Sequence, residues 1–271
     1  MAKESLGQLP NAPLAYVLGA VKFEPQLALE KHIPALQERL QSKFPRFRPV
    51  NEAVIQLSIG DSPLSQSPQR VRFEFASADN RRGIILNLET LVFHATAYTT
   101  YNDFGARLSE VLTDVGAELK HLFVRRIGLR YIDTLIPEEG ETPDDYVSSD
   151  LRCLPKLSLP LRARSGLAIS EFQMEKGALV VRYAAGPGRL GLPPDLQPLP
   201  LTESAVMQRP IPENVMSGLL DFDRFMPQEA LFNNAAQIRR WFNELHDDLS
   251  IAFRELTTEH AKRVWQQEPQ Q

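Results

Sequence analysis

Along residues 121–136 (HLFVRRIGLRYIDTLI), apolar and polar positions alternate strictly. Ile127, Leu129 and Tyr131 fall on one face, and Arg126, Gly128 and Arg130 on the other. The period predicts a long strand with a packed inner face and a cationic outer one. Upstream, the run 14–23 (LAYVLGAVKF) predicts a first strand. A helix over about 27–43 follows, with Ile33, Leu36, Leu40 and Phe44 as its apolar stripe. Pro34 fits a start near Glu30, which puts the ring where backbone N–H groups have no partners, and Pro45 and Pro49 stop the helix.

Four short strands are predicted next, at 52–59, 70–76, 83–88 and 91–98, in an antiparallel meander. Arg72, Glu74 and Ala76 alternate with Val71, Phe73 and Phe75, as in a sheet packed on one face only. The packing layer is a helix over 101–120, in which Phe104, Leu108, Val111, Leu112, Val115 and Leu119 recur at helical spacing. Thr100 with Asp103 resembles a capping box.

Beyond the long strand lie an acidic loop (138–150), a stretch 157–164, and a hairpin of 167–174 and 178–183 turned at Glu175, Lys176 and Gly177. Residues 186–212 hold seven of the 21 prolines and predict a long irregular excursion, a flap. A strand (215–222) and a helical region (234–265) close the pattern, the latter with a broad apolar face around Trp241 and Phe242 and a possible break at Thr257 and Thr258. The expected fold is α+β, a mainly antiparallel sheet with helices on one face, in a single domain over 14–265. Related halves are expected at 14–136 and 157–265, with a flexible tail at 1–13 and a disordered one at 266–271; two packed domains are the alternative.

Composition adds limits rather than chemistry. At 271 residues the chain is long enough for a full core without staples. One cysteine, Cys153, excludes an intrachain disulfide and favours a reducing compartment, the cytoplasm. No segment approaches the roughly 20 apolar residues of a membrane span, and the start of the chain lacks the pattern of an export signal. A net charge of -4 and a pI near 5.8 weigh against nucleic acid, whose grip depends on Lys and Arg neutralising phosphates.

Several stretches in order, APLAYVLGAVKF, QERLQSKFP, TAYTTYNDFGARL, FVRRIGLRYIDTL and LLDFDRF before a long helix, resemble a sporadically distributed bacterial family of uncharacterised proteins of roughly this length. The resemblance covers most of the chain, with 186–212 as a local departure. It implies no catalytic residue. The family's patchy distribution is similar to that of genes on mobile elements or in defence loci, which implies an accessory, partner-binding role.

Four residues stand out as binding candidates. Arg126 and Arg130 lie about 13 Å apart on one strand face, with Gly128 between them, so that a carboxylate, a phosphate or an acidic helix could enter the gap. Cross-strand pairing with Glu74 or Glu89 is the structural alternative. Asp221 and Asp223 in LLDFDRF point the same way from an extended backbone, as in a hard-metal or acid-base pair, though no third ligand is identifiable and Arg224 could simply pair with them. His94, His246 and Cys153 lack metal-ligand or nucleophile signatures, so neither a catalytic residue, a metal nor a cofactor is assigned. The leading expectation is a non-enzymatic protein that binds a partner protein, through the open sheet face or a groove beside the flap. An anion or small-molecule module is second, an enzyme third.

Overall fold

The computed structural model describes residues 9–52, 70–155, 163–196 and 211–267. Nine strands form one antiparallel sheet: β1 (Leu14–Phe23), β2 (Arg46–Glu52), β3 (Arg70–Ala76), β4 (Arg82–Leu86), β5 (Thr90–Ala95), β6 (Phe123–Leu135), β7 (Gly166–Gln173), β8 (Ala178–Pro187) and β9 (Met216–Leu231). Their spatial order is β2-β3-β4-β5-β1-β6-β9-β8-β7, so both expected halves contribute to one continuous sheet. Four α-helices are described: α1 (Leu29–Leu40), α2 (Tyr101–Leu119), α3 (Ala235–Leu256) and α4 (Glu259–Gln266). None is long and apolar enough to cross a membrane.

Alternation decides what each face does. Val17, Val21, Ile127, Leu129, Leu220 and Phe222 join the apolar stripes of α1, α2 and α3 in the main core. Leu108, Val111, Leu112 and Val115 of α2 are buried there, as are Trp241 and Phe242 of α3. Gly19 sets the approach of helix to sheet, because a Cβ there would sit 2.7 Å from the Leu108 side chain. The Thr100 side chain caps α2 by accepting from the Asp103 N–H at 3.2 Å. Thr257 interrupts the last helical region by bridging to Val147, and Thr258 restarts it as the N-cap of α4.

Several boundaries differ from the sequence pattern. Residues 46–52 form a strand despite Pro49, because among the described residues β2 pairs only with β3 and a missing N–H is tolerated at such an edge. The strand expected at 52–59 lies, beyond Glu52, outside the described residues. α1 begins at Leu29, which puts Pro34 inside the helix, beyond its first turn. β9 continues to Leu231, well past residue 222, because it stays paired with β8 as far as Phe225 and with β6 as far as Leu231. Residues 9–13, expected as part of a tail, are held by the hydrogen bonds Asn11 N–Trp265 O at 3.0 Å and Thr134 N–Pro13 O at 2.8 Å.

The excursion at 186–212 also starts differently. Pro187 ends β8, and the next residues cross the outer face of the sheet, where Leu190, Leu192 and Leu196 pack with Tyr16, Leu18, Ile132 and Leu219 in a second apolar cluster. Residues 197–210 of the expected flap lie outside the described residues, as does 157–162.

Candidate functional site

Three of the four binding candidates meet on the outer face. The β6–β9 register sets Arg130 opposite Asp223 and Ile132 opposite Asp221, which brings Asp221 diagonally beside Arg130. Arg130 Nε and one Nη each donate to Asp221, at 2.7 Å and 2.7 Å. Its other Nη donates to Asp195 at 2.6 Å, from the segment that crosses this face. Arg182 of β8 donates to Asp221 at 3.0 Å, and Asp223 stands 4.0 Å from both guanidinium groups.

Burial makes this a network rather than a surface pair. Arg130 is 4% exposed and Asp221 fully buried. Burial opposes the Arg130 charge, but the hydrogen bonds it donates to Asp221 and Asp195 outweigh that and push its pKa still higher. Burial lifts the Asp223 carboxyl above its ordinary range, only partly offset by Arg130. Two guanidinium groups thus face three carboxylates, and an incoming anion would meet a site whose positive charge is already matched. Arg224, read as a possible partner for the two aspartates, points to the opposite face and pairs with Asp248 at 2.8 Å.

Arg126 takes no part in this network. The gap beside Gly128 is filled: Phe225 stands directly across from Gly128, and the Arg126 guanidinium lies 3.8 Å from the centre of its ring. Glu74 and Glu89 are not the partners of Arg126 or Arg130. Glu74 binds Arg48 and Arg72, and Glu89 lies 3.8 Å from Lys22.

A second cluster, between sheet and helices, was not legible as a unit in the sequence. Tyr131 and Asp133 share the helix-facing side of β6, Tyr98 comes from the link between β5 and α2, Tyr101 opens α2, and His246 comes from α3. The Tyr101 and His246 rings stack at 3.8 Å, almost parallel. Tyr131 Oη and His246 Nδ1 share a hydrogen bond at 3.1 Å, and Tyr98 packs edge-on against Tyr131. His246, which carries no metal-ligand signature in the sequence, is therefore half-buried against the sheet. Asp133 is buried, and burial, aided by the charge of Asp221, pushes its carboxyl up to about 8. The one signal available was the polar residue Asp133 at an inward position of a core strand.

His94 is also fully buried, on the outer face, bonded through Nδ1 to Tyr16 Oη at 2.6 Å, and burial drives its pKa down to about 3. Burial pushes the Cys153 thiol up to about 11, which keeps it protonated and unreactive. Among the described residues, no group of three or more His, Cys, Asp or Glu side chains is arranged to hold a metal ion.

The two ends of the sheet differ. β2 exposes Arg46, Arg48 and Pro49, features that discourage pairing with another strand. At the other end β7 pairs only with β8 among the described residues, and two of its apolar side chains are open, Leu167 at 64% exposed and Ile169 at 60%, with the exposed Glu171 beyond them on the same face. Both point to the outer face, level with Ala184 and Arg182, while Phe172, 43% exposed, points to the other.

No protein-family model and no curated protein sequence matches the chain.

Proposed function

We propose that the chain is a non-enzymatic partner-binding protein that accepts an extended segment of another protein along the outer edge of β7. The carrying observation is that edge, whose outer side pairs with no strand among the described residues, beside the exposed Leu167 and Ile169. Strand addition gains main-chain hydrogen bonds from the edge and specificity from alternate side chains, here the apolar pair on one face and Phe172 on the other. The guarded β2 edge supports the contrast, since open edges invite unwanted pairing and are blunted where they serve no purpose. The resemblance to a sporadically distributed bacterial family favours an accessory role in a mobile-element or defence-related locus, and the single cysteine favours the cytoplasm.

The arginine face is the weaker reading, because Arg130 is engaged with Asp221 and Asp195 and Arg126 with Phe225. The test compares the parent chain with a Leu167→Lys, Ile169→Lys double variant in capture from native host lysate, quantified by mass spectrometry. The parent retains a stoichiometric protein that the variant loses, while thermal stability is unchanged because both positions are exposed. Equal capture by a folded variant overturns the proposal.

A further inference from the structure

Two buried aspartates in this fold are treated in opposite ways. Asp144 receives the Tyr183 hydroxyl at 3.0 Å and the backbone N–H groups of Cys153 and Leu154 at 3.4 and 3.1 Å. Asp133 is 3% exposed, yet its Oδ2 has no hydrogen-bond partner. Neither charge state satisfies that oxygen, because the carboxylate lacks a donor there and the protonated acid lacks an acceptor. Buried polar atoms are nearly always paired, so an orphaned one calls for a partner that the described side chains do not supply.

What surrounds Asp133 narrows the chemistry of that group. Tyr131 lies two residues away on the same strand face, the Asp133 charge acts on both Tyr131 and Tyr98, Tyr98 packs edge-on against Tyr131, and His246, stacked on Tyr101, bonds to Tyr131. The three tyrosines and His246 are each partly exposed, so the cluster reaches the surface. Of the charged groups around it, Asp221 on the neighbouring strand acts on Asp133, while Asp247 on α3 and Arg239 act on Tyr101. Arg130, on the opposite face of β6, is taken by Asp221 and Asp195. An anion is excluded by this surround. A neutral hydroxyl would satisfy one hydrogen bond but gain nothing from the carboxylates or from the negative faces of the rings.

We propose that this cluster binds a small protonated amine, with Asp133 as its counter-ion and the rings of Tyr98 and Tyr131 as its wall. The ammonium N–H groups supply the donor that Oδ2 lacks, a charge-assisted bond, and the cation rests against tyrosine faces. This site is independent of the β7 edge and stands or falls separately. Because burial holds Asp133 protonated at neutral pH, binding a cation ionises it and releases a proton.

Titration calorimetry of the full chain at pH 7 tests this with three probes: butylammonium, butanol of nearly the same shape without charge, and tetramethylammonium, charged without an N–H donor. Butylammonium gives saturable binding whose heat varies with the ionisation enthalpy of the buffer, corresponding to release of about one proton. The other two bind weaker by about tenfold or more. Asp133→Asn, nearly isosteric, weakens butylammonium by about tenfold or more and abolishes the proton release. Tyr98→Ala, at the half-exposed wall, is the second variant and lowers affinity severalfold. Absence of saturable butylammonium binding, equal binding of all three probes, or undiminished binding with Asp133→Asn would assign the orphaned oxygen to an ordered water and overturn the proposal.

Discussion

Arg130 grips Asp221 with two hydrogen bonds of 2.7 Å each, diagonally across the β6–β9 ladder and out of contact with water. Removing one member of a buried ion pair leaves the other charged without compensation, which typically destabilises by about 3 to 5 kcal/mol. Asp221→Ala is expected near the lower end of that range in urea titration, because Arg130 loses two hydrogen bonds and Arg182 one while Asp195 still pairs with Arg130. Arg126→Ala, which loses a stack on Phe225, is expected to change stability by about 1 kcal/mol or less. Reversal of Arg130 to Glu therefore tests folding rather than binding, since it sets a carboxylate against Asp221.

The outward alternation of Arg126 and Arg130 and the parallel orientation of Asp221 and Asp223 were legible in the sequence, because strand period alone fixes them. Their meeting was not. It depends on the β6–β9 register, between strands separated by nearly a hundred residues, and on Asp195 arriving from a proline-rich segment with no periodicity of its own. The same limit hid the tyrosine, histidine and aspartate cluster, whose members come from three separate stretches of chain. Helix α2 was readable almost to the residue, because its signals, a cap and a repeating apolar stripe, are local.

Leu112 lies on that stripe, 1% exposed against the sheet. Leu112→Ala is expected to lower unfolding free energy by about 2 to 5 kcal/mol in denaturant titration, the usual range for a buried leucine truncated in a core that cannot fully collapse.

Asp133 and His94 give the stability curve opposite limbs. The folded pKa of Asp133 is about 8, above an unfolded value near 4, so its contribution is fully present below about pH 4 and lost as pH rises toward 8. Asp133→Asn is accordingly expected to be more stable than the parent at pH 9, by on the order of a few kcal/mol, and similar to it near pH 4. His94, with a folded pKa of about 3, contributes stability above its unfolded value near 6.5 and loses it as pH falls from there toward 3. His94→Gln is expected to flatten that acid limb in unfolding titrations run from pH 7 to pH 4.

Partner recognition along β7 is the central functional claim, and amide hydrogen exchange of residues 166–173 tests it most directly. In the free chain the outward-pointing amides of β7 are expected to exchange rapidly, as unpaired edge groups do, while those of β8 and β9 are protected. With the captured partner bound, the same β7 amides are expected to slow by at least about tenfold, with the β2 edge unchanged. A bound partner that leaves β7 exchange as fast as in the free chain, and protects another surface instead, would contradict the account.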